Sequence, residues 1–100
     1  MDKRTPHYDL AVLRDEVSRL GAAAFTRTAL DNGRAMGLTT ADMLQVVAQL
    51  TRQNFYKSMT AHADSRVWQD VYHADTPTGR TAYIKLTRRE AAVVIQFKEK

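Results

Sequence analysis

The sequence predicts an α+β protein, with three N-terminal helices packed on one face of a C-terminal antiparallel sheet. Three observations carry that expectation. Apolar residues recur at helical spacing through the first half of the chain, and they alternate with polar ones through much of the second. Glycine and proline fall between those patterned segments, where turns are needed.

Leu10, Leu13, Val17 and Leu20 recur at spacings of 3, 4 and 3, one stripe of a first helix, and Gly21 is a natural C-terminal stop. A second helix is expected from near Thr26 to Met36, ending at Gly37 and weakened by Asn32-Gly33. A third starts at Thr39, whose hydroxyl can cap, with Asp42 suited to the positive end of the helix dipole. Met43, Val46, Val47 and Leu50 form its apolar face.

From Asn54 the period changes to two. Candidate strands span Phe55 to Thr60, Val67 to His73, Thr81 to Leu86 and Ala91 to Lys98. Thr76-Pro77-Thr78-Gly79 is a turn signal, and Arg88-Arg89-Glu90 fits a short hairpin connection. Alternation turns Ile84, Leu86, Val93, Ile95 and Phe97 toward the helices. Tyr83, Lys85, Gln96 and Lys98 then share the open face, a set of side chains able to bind a phosphodiester.

One hundred residues suit one domain, 1–100. At 44% apolar and 26% charged, the composition is globular rather than disordered. No apolar run approaches the roughly 20 residues of a membrane span, and the N-terminus lacks the apolar core of a secretory signal. Without cysteine there is neither disulfide nor thiolate metal site, which is compatible with the cytoplasm. The net charge of +4 is unevenly placed: residues 1–50 balance six bases against six acids, and residues 51–100 carry nine bases against five acids. An anionic partner would meet the second half; an inert basic surface is the alternative.

Histidine is the usual proton carrier near neutral pH, and the chain has His7, His62 and His73. None lies in a metal-ligand spacing, and each has an ordinary surface or turn role as its alternative. His62 and His73 fall close to neighbouring strands, which leaves open a meeting between them. No carboxylate pair, P-loop, GxGxxG or GxSxG is present, which argues against metal-dependent or nucleotide-hydrolysing chemistry.

What remains is a Lys-Tyr-Gln set. Lys57 and Lys98 could offset the charge that develops when RNA is cleaved, Tyr83 could give or accept a proton, and Gln69 could donate to a phosphoryl oxygen. RNA brings its own nucleophile, the 2′-OH, so the protein needs only position it and stabilise charge. Singly, each residue also suits an ordinary solvated or packed strand position. Phe55, Tyr56, Trp68 and Tyr72 offer stacking surfaces for bases or, equally, core packing.

Several blocks then carry a resemblance: K-R-T-P-H (Lys3 to His7), F-Y-K-S-M-T (Phe55 to Thr60), W-Q-D-V-Y (Trp68 to Tyr72), T-G followed by Tyr83, and the terminal F-K-E-K. Together they resemble the MqsR family of toxin–antitoxin ribonucleases over nearly the whole chain. The resemblance implies a RelE-like, microbial-RNase-like fold and a metal-independent, sequence-selective mRNA endonuclease that needs no cofactor. It also implies neutralisation by a cognate antitoxin with a zinc-binding half and a DNA-binding half, through which alone the toxin meets DNA. The family's catalytic residues match Lys57, Gln69, Tyr83 and Lys98; Tyr56, Lys85, Arg80 and His73 are the expected RNA contacts. Two places depart from the family pattern: the 73–82 connection is a residue longer, with His73 where an Arg is usual, and Gln96 stands where a small Ser often precedes F-K-E-K.

Two rival readings use the same basic face. One is a non-catalytic RNA- or ribosome-binding module, expected to bind in a salt-dependent way and leave RNA intact. The other is a corepressor of its own operon, associating with DNA only when the antitoxin is present.

Overall fold

The computed structural model describes residues 1–100. Strand β1 (Asp2–Lys3) precedes helices α1 (Leu10–Leu20), α2 (Arg27–Ala35) and α3 (Thr40–Ala48). Strands β2 (Phe55–Thr60), β3 (Trp68–Asp75), β4 (Thr81–Arg89) and β5 (Ala92–Glu99) follow. All five strands form one antiparallel sheet in the order β1-β2-β3-β4-β5. The expected α+β layering is therefore present, with five strands rather than four. No helix is long and apolar enough to cross a membrane.

Local chemistry sets the helix ends. The Asp9 carboxylate accepts from the Ala11 and Val12 amides, and Gly21 closes α1 at φ +61°. The Thr26 hydroxyl caps α2 through the Ala29 amide. Thr39 and Asp42 form a reciprocal capping box at the start of α3. Gly33, which weakens α2 by propensity, is needed there: a Cβ on it would collide with Met43 Sδ of α3. Close helix packing outweighs the propensity cost, roughly 1 kcal/mol for a helical glycine.

Leu13, Val17, Ala29, Met43, Val46 and Val47 from the helices meet Tyr72, Ile84, Leu86, Val93, Ile95 and Phe97 from the sheet in one core. Each large apolar side chain buried this way contributes about 1.5–3 kcal/mol. The helical layer also covers the β5 edge: Thr26 N donates to Ile95 O at 3.1 Å and Asn32 Nδ2 to Phe97 O at 2.9 Å.

The strands differ from the sequence expectation at several bounds, including those of β5, which runs Ala92–Glu99 rather than Ala91 to Lys98. β1 is only two residues long, too short for any periodicity, and pairs Asp2 with Met59 and Lys3 with Ser58. β3 starts at Trp68 and runs on to Asp75. Arg88 and Arg89 lie in β4 rather than in a turn, because the connection is just Glu90 and Ala91, at φ +50° and +69°. That left-handed pair matches the twist of a two-residue hairpin without the usual Asn or Gly, so the sequence carries no signal for it.

Asp70 ties the N-terminal segment to the sheet. It is fully buried, accepting from the His7 and Tyr8 amides at 2.9–3.0 Å and from Ser58 Oγ at 2.6 Å. The Tyr8 hydroxyl donates to Trp68 O at 2.8 Å, and the His7 ring stacks on Trp68. The blocks around Pro6, Ser58 and Asp70, remote in sequence, thus form one polar junction.

Candidate active site

Strand pleating decides which side chains share the open face of the sheet. One cross-strand row runs Lys57, Val71, Lys85, Gln96; the next contains His73, Tyr83 and Lys98. The register between β2 and β3 shifts between Phe55 and Lys57, so Tyr56 is an extra residue at a bulge. The bulge brings the Tyr56 ring over His73, with centroids 4.5 Å apart. Lys57, Lys85, Lys98, Tyr83, Tyr56 and His73 are therefore gathered on one surface.

Tyr83 is its centre. Lys98 Nζ lies 5.1 Å and Lys85 Nζ 6.0 Å from its ring centroid, and His73 flanks it at 5.4 Å. Lys57 Nζ is 5.6 Å from the Tyr56 ring and pairs loosely with Asp2 Oδ2 at 3.5 Å. Gln69, only 6% exposed, lies on the same face opposite Met59, one row from Lys57. Arg80 sits apart, in the β3–β4 connection, where it is ion-paired with Glu99 at 2.9 Å. His62 lies in the exposed β2–β3 connection while His73 is far along β3, so the two histidines do not meet. Of the aromatic candidates, Tyr72 is core, its hydroxyl pKa pushed up to about 12 first by burial and then by Asp70.

The face is electropositive and partly desolvated. Burial first, then the nearby Lys98 and Lys57 ammoniums, hold the Lys85 pKa below its ordinary value. The His73 pKa is lowered by burial and then by Lys100, which favours neutral imidazole, and its Nε2 is buried without a hydrogen-bond partner. No group of three or more His, Cys, Asp or Glu side chains is placed to hold a metal ion.

A cleft of about 400 Å³ opens beside this cluster, between the start of α2 and the β5 edge. Tyr83, Lys85, Gln96 and Lys98 form one wall, and Thr26, Thr28 and Asn32 belong to the other. These α2 residues, and the Asp2 partner of Lys57, were not legible in the sequence: only tertiary packing brings the helix and the N-terminal strand to this face.

Such a surface, with cations flanking a tyrosine and acids only at its margins, Asp2 against Lys57 and Asp75 one row beyond His73 and Tyr83, suits an anionic substrate whose charge grows during reaction. The family described as "Motility quorum-sensing regulator, toxin of MqsA" matches residues 5–99. The mRNA interferase toxin MqsR of Escherichia coli (strain K12) is 40% identical over 100 residues, covering 100% of both chains. With its motifs, its helix-and-sheet layering and a match across nearly its whole length, this chain belongs to the MqsR toxin family.

Proposed function

We propose that the chain, as a single domain spanning residues 1–100, is the toxin of a type II toxin–antitoxin pair and a metal-independent endonuclease of mRNA. The observation that carries this reading is the placement of Lys85 and Lys98 about the Tyr83 ring, with Lys57 in the adjoining row, on a face where burial first, and then the Lys98 and Lys57 charges, lower the Lys85 pKa. In the reaction, the 2′-OH attacks the neighbouring phosphorus and the P–O5′ bond breaks. A proton leaves the 2′-oxygen and one is delivered to the 5′-oxygen, giving a 2′,3′-cyclic phosphate and a 5′-OH end. Lys57 and Lys98 stabilise the charge on the phosphoryl oxygens, Tyr83 serves as the acid or base, and Gln69 orients the phosphate. Tyr56 stacks on a flanking base, Lys85 and Arg80 draw in the backbone, and His73 supports the Tyr56 and Tyr83 rings.

The partner that neutralises this activity is a cognate antitoxin with zinc-binding and DNA-binding halves, and the toxin reaches DNA only through it. The cytoplasm is where both partner and mRNA are found.

The test is cleavage of a defined single-stranded RNA in EDTA, with ends mapped, for wild type, Lys57→Ala and Tyr83→Phe. Discrete cuts leaving 5′-OH ends, slowed about 10²–10³-fold in the variants, are expected. RNA that stays intact while bound in a salt-dependent way would replace the nuclease with a binding module. A Lys57→Ala protein as fast as wild type would remove the site.

A further inference from the structure

The cleft between α2 and β5 is contiguous with the lysine cluster, yet none of the proposed chemistry uses its far wall. Its size falls within the range of small-ligand sites, about 300–1,000 Å³. Two amides face it. Gln96 sits directly across the β4–β5 ladder from Lys85, its side chain exposed and free of intramolecular hydrogen bonds. Asn32 is constrained: its amide donates to the Phe97 carbonyl at 2.9 Å. A carbonyl oxygen can only accept, so the atom facing it must be Nδ2. Oδ1 is thereby left as a fixed acceptor beside the cleft. Thr28, one turn earlier on α2, adds an exposed hydroxyl. Ala29 and Phe97 supply apolar lining.

We propose that this cleft is a base-recognition subsite, holding one nucleotide next to the scissile phosphate and reading its base through Asn32 and Gln96. The proposal deepens the nuclease reading and rests on it for the identity of the ligand. Lys85 and Lys98, which line the same cleft, hold the phosphate, while the two amides meet the base edge. An acceptor that cannot rotate selects for a donor. It favours a base carrying an exocyclic amino group over uracil, whose ring N–H is flanked by two carbonyl oxygens that oppose Asn32 Oδ1. Gln96, whose free side-chain amide carries both a donating NH2 and an accepting carbonyl, pairs with whatever group adjoins the amino group of the base.

The experiment uses the full chain and short RNA oligonucleotides made uncleavable by a single 2′-deoxy substitution, varied at one neighbouring base. Binding is followed by fluorescence anisotropy and by amide NMR shifts. Cut sites on intact RNA are mapped in parallel for wild type, Gln96→Ala and Asn32→Ala. Gln96 is exposed, so its variant remains informative if loss of the Asn32–Phe97 tie loosens α2.

Expected are shifts at Asn32 and Gln96 that depend on the varied base, and a preference for amino-bearing bases over uracil that falls about tenfold in Gln96→Ala. Active variants with unchanged site preference would overturn the subsite while leaving the nuclease intact. Base-dependent shifts in the cleft with no cleavage by wild type would sustain the subsite and end the nuclease reading. Oligonucleotides that leave the cleft amides unmoved overturn the subsite in either case.

Discussion

The imidazole of His73 lies nearly parallel to the ring of Tyr56, with centroids 4.5 Å apart, planes 25° apart, and Nε2 buried without a hydrogen-bond partner. An imidazolium there would lose hydration and face Lys100, so the folded state favours the neutral ring. Because the folded pKa is lowered, the stability His73 contributes is complete above its ordinary value of 6.5. That contribution is lost as pH falls through the lowered folded value. His73 should therefore titrate below 6.5 in an NMR pH series. A His73→Phe variant, which keeps the stack without the charge, should lose less stability than wild type between pH 7.5 and pH 5. Equal losses would show that His73 does not set the acid response.

Asp70 gives a sharper structural test. Its carboxylate satisfies the His7 and Tyr8 amides and the Ser58 hydroxyl from a fully buried position. Replacing it with alanine leaves buried donors unpaired, at a cost of about 3 kcal/mol or more. Chemical denaturation should show that loss, and the N-terminal segment should become sensitive to trypsin at Arg4 ahead of the rest of the chain. Wild-type stability in Asp70→Ala would mean that solvent satisfies these donors.

Ala91 stands at φ +69° in the two-residue β4–β5 connection. A side chain in left-handed backbone costs roughly 1–2 kcal/mol, and glycine avoids that clash while giving up chain entropy on folding. Ala91→Gly should thus raise stability by about 0.5–1 kcal/mol, seen as a melting point a few degrees higher. A lower melting point would indicate that the turn is set by contacts rather than by backbone strain.

Those backbone angles also mark a limit of sequence reading. The helices were legible because their caps are local: Asp42 answers Thr39 three residues away, and Gly21 stands where α1 ends. Four of the five strands were legible because one face of the sheet is buried and alternation records it. The same alternation put Tyr83, Lys85, Gln96 and Lys98 on a common face, which the register reproduces. Other features depend on partners far away in the chain. β1 exists only because β2 offers it an edge, and Asn32-Gly33 survives in α2 because Met43 needs the space. Nothing local marks the role of Asp70, since only folding brings the backbone of His7 and Tyr8 to it. Arg80 differs again: its charge was legible, but its pairing with Glu99 was not.

Lys85 carries the clearest conflict between stability and the proposed activity. It is half-buried between Lys57 and Lys98, and burial and both charges lower its pKa. A depressed lysine pKa means the folded state is penalised while the group is charged. The penalty is present below the folded pKa and vanishes as pH rises above the ordinary value of 10.5. Lys85→Met keeps much of the side-chain packing and removes the charge. It should melt at a higher temperature than wild type at pH 7, with the difference disappearing at high pH. The same variant should bind RNA more weakly, and the slope of log affinity against log salt should fall by about 0.7–0.9 if one phosphate contact is lost. A variant that is both more stable and equally tight in RNA binding would show that the Lys85 charge serves neither folding nor the anionic ligand. One that is less stable would show that its aliphatic packing and the ammonium's hydration outweigh the repulsion of its neighbours.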